Sequence, residues 1–209
     1  DANTRLYFQP TANYNVDISS ALTFRAWDQT RGTAGTKVST GTTGATTAFS
    51  AASDVIDVSV TAVNDAPVAS GSATLTADAE DTATASLNTS TVSTLFSGNF
   101  SDATDNVTGG SSANTLAGVA ITSYTADAAK GTWQYSSDGT TWTALSSVSA
   151  ASSAVTLKST DQLRFVPAAN FNGAAPTLTV ALIDSSTTVT TAATVDASTR
   201  GGTSAFSSS

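Results

Sequence analysis

LRFVPAANFNG (163–173) and LYFQPTANYNV (6–16) are two copies of one phrase. Phe165 answers to Phe8, Pro167 to Pro10, Asn170 to Asn13 and Asn172 to Asn15, all at a shift of about 157 positions. The match continues as LTVALID (178–184) against LTFRAWD (22–28), with one residue gained or lost between, and closes as TSAFS (203–207) against TTAFS (46–50). Self-similarity at a fixed period is the mark of stacked modules, whose use is length, reach or multiplicity. This period exceeds that of solenoid repeats, so each unit is large enough to be a domain. Residues 1–66 therefore read as the end of one module and 67–209 as most of the next. The second has no counterpart of DVIDVSVTAVN (54–64). Two expectations follow: a window onto a longer array, or a last strand supplied by a neighbouring chain.

Composition removes whole classes of chemistry. The chain has no Cys, Met or His. Disulfides, zinc sites of the usual kind and His-based triads are excluded, and only oxygen-ligand metals remain, calcium first. The net charge of −8 argues against nucleic acid, which needs a basic face. No stretch approaches the 18 or so apolar residues of a spanning helix. Hydrophobic residues reach 40% and recur in alternating runs, which is enough to build a core and argues against disorder.

The runs are short, rich in Thr and Val, and separated by turn residues, so the expected class is all-β. Strands are expected at 5–10, 21–28, 55–63, 72–77, 116–125, 154–158, 163–167 and 177–184, with 91–100 either a strand or a short helical turn. VIDVSVTAV (55–63) alternates cleanly, with Ile56, Val58, Val60 and Ala62 on one face. GTWQYSSDGTTWTAL (131–145) is the best hairpin signal, turning at Asp138-Gly139. Residues 29–47 are Gly/Thr-rich and read as a loop. Seven to nine strands per period fit a β-sandwich with Greek-key connections.

At TAVNDAPVA (61–69), followed by AEDT (79–82), the chain resembles the junction between bacterial cadherin-like and Ig-like tandem repeats of large secreted adhesins and biofilm surface proteins. LRFVPAANFNG and the 131–145 hairpin are similar to segments of the same arrays. The resemblance implies tandem β-sandwich modules in a non-enzymatic structural or adhesive segment, extracellular or on the cell surface. It also implies calcium at the module junction. Carried over residue by residue, Asn64 and Asp65 match the linker's Asn-Asp, Glu80 matches the early Glu of the following domain, and Asp28 and its mate Asp184 match an Asp ending a late strand. Asp81, Asp102 and Asp105 add hard oxygen ligands of the kind calcium takes. The pattern departs where the first linker acid and second linker Asn of cadherins fall at Ala62 and Ala66, which leaves one ion or none in place of three.

Two other readings stand beside this one. Trp133, Tyr135 and Trp142 could form an exposed platform for cell-surface or matrix polysaccharide, against the plainer reading that they pack the core. Alternatively the chain is a fibre subunit that joins other copies of itself by strand donation. SSDGTTW (136–142) resembles an Asp-box, one residue short, and such boxes are structural turns. No pair of base and nucleophile and no phosphate-cradling loop is evident.

Overall fold

A computed structural model describes residues 4–208. It is mostly β, in several antiparallel sheets, and divides into two compact units. One runs to Ala62 and includes Val107–Ser111; the other comprises Val63–Asn106 and the chain from Ser112 onward.

Among the described residues, the first unit carries a single two-stranded ladder. β1 (Ile18–Phe24) and β2 (Asp54–Val58) pair antiparallel, with Phe24 opposite Asp54 and Leu22 opposite Ile56. The register slips between Ile18 and Leu22. There Ser20 takes φ 56° and turns its N–H onto the Asp57 carboxylate at 2.7 Å, as a bulge requires. Leu22, Phe24, Val55 and Ile56 all stay exposed.

The second unit holds the strands β3 (Val68–Ala69), β4 (Ser90–Thr91), β5 (Phe100–Ser101), β6 (Leu116–Ser123), β7 (Gly131–Ser136), β8 (Thr143–Ala144), β9 (Ala154–Lys158), β10 (Gln162–Pro167), β11 (Thr179–Asp184) and β12 (Thr194–Val195). They form a four-stranded sheet β4-β10-β7-β8, a second β11-β6-β9-β12, and a small pair β3-β5. One short helix, α1 (Val92–Phe96), opens on Thr91, whose hydroxyl accepts the Thr94 N–H at 3.0 Å. It settles the 91–100 segment as a helical turn and buries Val92.

Both four-stranded sheets contribute to one core. Val119 and Ile121 of β6, Leu157 of β9, Leu163 of β10 and Leu182 of β11 are buried together with Tyr124, and Trp133 and Tyr135 of β7 pack against them. β6 reads LAGVAITS, nearly continuous in apolar residues, because its other face is covered as well. Ala120 belongs to a second cluster with Ala154, Ile183, Val189 and Ala197. Gly118 sits between these layers: a Cβ there would be driven into the Leu157 carbonyl oxygen and within 3.0 Å of Val189. Gly118→Ala is therefore expected to lower stability by roughly 1–3 kcal/mol through a forced backbone shift. A urea midpoint equal to that of the parent would contradict this.

The strands at 116–123, 154–158, 162–167 and 179–184, and the 131–145 hairpin, lie where the sequence puts them. Two expected strands do not form. Residues 5–10 join no ladder, although their repeat mates form β10. β10 is held by β7 and β4, and no strand stands against 5–10 among the described residues. Residues 72–77 likewise lie outside any ladder beyond β3. The strand read at 55–63 is confined to Asp54–Val58 because β1 offers no partner beyond Ile18.

At positions that match in sequence, the same contacts recur. Trp27 bridges Phe49 in the first unit, and Ile183 bridges Phe206 in the second. Asp28 N–H donates to the Ala48 carbonyl and Asp184 N–H to that of Ala205, both at 3.1 Å. Ser50 N–H reaches Ala26 and Ser207 N–H reaches Leu182, both at 2.9 Å. In return Ala26 N–H and Leu182 N–H donate to the hydroxyls of Ser50 and Ser207, both at 3.0 Å. Gly44 and Gly201 share φ 75°, and Asn13 and Asn170 take φ 60° and 59°. Gly173, replaced by Val16 in the other copy, keeps an ordinary φ, so Val fits there without strain.

Candidate functional site

Three carboxylates are buried at one end of the second unit: Asp102, which caps a single 3-10 turn (Ala103–Asp105), Asp105, which ends that turn, and Asp184, the last residue of β11. Asp184 is fully buried, and Asp102 and Asp105 are 5% and 6% exposed. Two amides stitch them together. Asn64 donates from Nδ2 to Asp184 Oδ2 at 3.2 Å and to the Ser204 carbonyl at 3.3 Å. Asn114 donates from Nδ2 to Asn64 Oδ1 at 2.8 Å and to Asp105 Oδ2 at 3.0 Å. Its backbone N–H gives a 2.5 Å bond to Asp102 Oδ2. Asp65 joins through its backbone N–H, 2.9 Å from Asp105 Oδ1. Ser186 closes a tight turn on Asp184 Oδ1 through both its N–H and its hydroxyl.

The local backbone explains the convergence. Pro67 is buried, and Ala66 N–H is anchored on the Gly202 carbonyl at 2.7 Å, which lays Asn64 beside the end of β11. Residues 102–105 follow directly on β5, and Asn114 precedes β6. Four separate stretches of chain thus meet at one spot, three bringing carboxylate or amide oxygens and Asn114 bringing N–H donors.

Two of these three acids have no basic partner. The one ion pair among the described residues joins Lys130 to Asp127, so neither Asp102 nor Asp184 has a basic partner. Burial raises the Asp102 carboxyl above its ordinary range; the Asn114 N–H opposes this, and the negative charges of Asp105 and Asp184 add to it. Asp102 Oδ1 is buried and has no hydrogen-bond partner. A buried carboxylate oxygen without a partner costs free energy, and oxygens collected around it without a cation are suited to a hard divalent ion. As the side chains are placed, no group of three or more His, Cys, Asp or Glu among the described residues could hold a metal ion. An ion would have to draw the carboxylates closer, in place of the amide hydrogens that now separate them.

The expected ligands thus divide. Asn64, Asp102 and Asp184 come together, with Asp105, and Asp65 contributes its backbone. Three others lie elsewhere. Asp28 belongs to the first unit and is exposed, its Oδ1 accepting the N–H and hydroxyl of Thr30 at 2.8 and 2.7 Å, which hold its carboxyl below the usual range. Glu80 accepts from Asn172 Nδ2 at 3.1 Å and Asp81 from Asn170 N–H at 3.2 Å. That pair caps the turn where Asn170 is left-handed. Asn114 is the member that sequence reasoning missed.

The aromatic residues do not share one face. Trp133 is half-buried, tilted on Phe165 with ring centres 5.4 Å apart, and donates from Nε1 to the Pro176 carbonyl at 2.7 Å. Tyr135 packs on the same core. Trp142 instead lies beneath the Arg164 guanidinium, 4.0 Å from its ring centre. Trp27 is half-buried, its Nε1 2.6 Å from the Arg31 carbonyl.

The Asp138 turn is structural. Its Oδ1 accepts the N–H groups of Thr140 and Thr141 at 2.8 and 2.6 Å and the Ser136 hydroxyl at 3.0 Å. These bonds, Thr141 first, hold the carboxyl far below its usual range. A lowered folded value contributes stability that is present above the unfolded value of about 3.9 and lost as pH falls through the folded one. The stability difference between the parent and Asp138→Asn is thus expected at full size at pH 7 and to shrink steadily below about pH 3.9. Urea unfolding at several pH values reads it, and a difference independent of pH would contradict it.

Comparison with protein-family models, with curated proteins and with solved structures finds no match for this chain.

Proposed function

We propose that the chain is a non-catalytic structural and adhesive segment of an extracellular surface protein, built of tandem β-sandwich modules with a period of about 157 residues. The recurrence of the Phe49 and Phe206 bridges with their flanking hydrogen bonds supports the repeat. The shared core of the two four-stranded sheets supports the sandwich. A chain without His or Cys, in which neither Asp102 nor Asp184 has a basic partner among the described residues, favours a structural role.

Calcium is the cofactor we propose with this reading, and the unpartnered Asp102 Oδ1 among buried carboxylates supports it. Asp102, Asp105 and Asp184 would hold the ion, with Asn64 as a neutral oxygen donor. The ion supplies positive charge that cancels carboxylate repulsion. The residues themselves tie the Asn64–Pro67 segment, the 102–105 turn and the end of β11 into one fixed piece. Extracellular modules of this kind bind calcium at about 10⁻⁴–10⁻³ M. Isothermal titration of the calcium-stripped protein is expected to show one ion per chain in that range. Absence of heat up to about 10 mM calcium, well above that range, would contradict the assignment.

The positions of Trp133 and Tyr135 on the core favour packing over a polysaccharide platform.

A further inference from the structure

β10 presents two different faces. Leu163 lies in the core and Phe165 packs on Trp133, so Gln162 and Arg164 project from the other side of the sheet. Gln134 of β7 stands opposite Arg164 and shares that outer face. Residues 84–89 lie against it, with a 3-10 turn at Thr84–Ser86 leading to buried Leu87. Arg164 is only 9% exposed there. Its Nε donates to Gln134 Oε1 at 2.8 Å and its Nη1 to the Thr84 carbonyl at 3.3 Å, and the guanidinium lies 4.0 Å from the Trp142 ring centre. These contacts fix the group without neutralising it, since every partner is uncharged. Arg164 has no carboxylate partner among the described residues. The acids nearest the cleft residues in sequence are turned to other work: Asp161 Oδ2 accepts the Lys158 N–H at 2.8 Å, and Asp138 Oδ1 holds its own turn. A buried charge costs free energy unless it is paired. The chain has twice as many acids as bases, 16 against 8, yet sets none beside this cation.

Around Arg164 is a cleft of about 610 Å³, lined by Thr84, Thr89, Thr140, Trp142 and Gln162 and by no acidic residue. A guanidinium carries five N–H donors, and Nη2 of Arg164 gives its own to no acceptor among the described residues. The hydroxyls of the three threonines, the Gln162 amide and the Trp142 indole N–H likewise have no hydrogen-bond partner among them. We propose that this cleft binds the carboxylate of a uronic-acid unit in an acidic polysaccharide, with Arg164 Nη2 on the carboxylate and the threonine hydroxyls and Gln162 on the ring hydroxyls. A fixed cation with no acid beside it selects against metal ions and cationic ligands. An extended peptide is taken up by adding a strand to a sheet edge, whereas this cleft lies over the face of the β7–β10 ladder, and its unbonded groups are side chains. Several hydroxyls and one amide around a single cation match a ligand that carries one carboxylate among many hydroxyls. The site is separate from Trp133 and Tyr135, which pack on the core, and it depends neither on calcium nor on the repeat.

The test titrates tetragalacturonate into the nitrogen-15-labelled full chain and follows amide, indole and guanidinium N–H resonances. The buffer is free of calcium, which uronates themselves bind. Salt at about 0.15 M screens the overall charge of −8 beyond about 8 Å, so that the local contact decides. One charge-assisted bond with a few neutral ones supports a dissociation constant on the order of 1 mM. Saturable shifts are expected at Thr84, Thr140, Gln162, the Trp142 indole and Arg164 Nε–H, and none with the neutral galactose tetramer. Arg164→Gln should weaken binding by about tenfold or more. Thr84→Ala combined with Thr140→Ala, both at exposed positions, should keep the parent's melting temperature and weaken binding by about fivefold or more. Should Arg164→Gln not fold, the double variant decides alone. No shifts at these positions, equal shifts with the neutral tetramer, or equal affinity for tetraglutamate each overturn the proposal. Unchanged affinity in either folded variant overturns it too.

Discussion

Saturating calcium is expected to raise the unfolding free energy of the second unit by about 2.7 kcal/mol once the free ion reaches about a hundred times its dissociation constant. The gain follows from binding to the folded state alone, since the ligands come from three stretches of chain as distant as Asn64 and Asp184. For a unit of this size the midpoint of thermal unfolding should rise by roughly 5–10 °C. Chelator should reverse the change. Magnesium should give a smaller one, because it is smaller, demands near-octahedral geometry and gives up water reluctantly. Identical melting curves in calcium and in chelator would contradict the account.

The second large effect has opposite signs in the two conditions. Asp102 carries a buried charge beside Asp105 and Asp184 and has no basic partner. Asp102→Asn keeps the shape and the oxygen that accepts the Asn114 N–H, but removes the charge. Without calcium the variant is expected to be more stable than the parent, by on the order of 1 kcal/mol, because repulsion is relieved. With calcium it should be less stable, because the shift is lost. Asp184→Ala serves as the contrast: it removes the acceptor for Asn64 and the Ser186 turn, so it should destabilise in both conditions. Thermal melts of the three proteins with and without calcium read the pattern. A variant Asp102→Asn that is destabilised without calcium would contradict the electrostatic argument.

Much of the sheet structure was legible because it is local. The hairpin at 131–145 turns where Asp138 can accept two successive N–H groups, and β9, β10 and β11 are short β-branched runs between turn residues. What sequence could not supply was pairing. Residues 5–10 and 162–167 carry the same pattern, yet only the second meets β7 and β4. Pattern gives a strand its faces, and its ladder comes from whatever lies beside it. β12 is two residues long and carries no period to read.

The site divides the same way. Asp102 and Asp105 stood out as hard ligands, and Asn64 and Asp184 through the family resemblance. Asn114 sits in a polar run, SSAN (111–114), where nothing marks one amide from its neighbours. Its meaning lies in partners 50 positions away at Asn64 and 9 away at Asp105. Glu80 and Asp81 carry the right chemistry, but the left-handed turn at Asn170 holds them elsewhere.

Diffraction from crystals grown in calcium decides the central claim. The account predicts a single ion within about 2.3–2.6 Å of Asp102 Oδ1, with oxygens of Asp105, Asp184 and Asn64 completing its protein shell. Density showing Asp102 Oδ1 bonded only to water, with the three carboxylates as far apart as before, would contradict it.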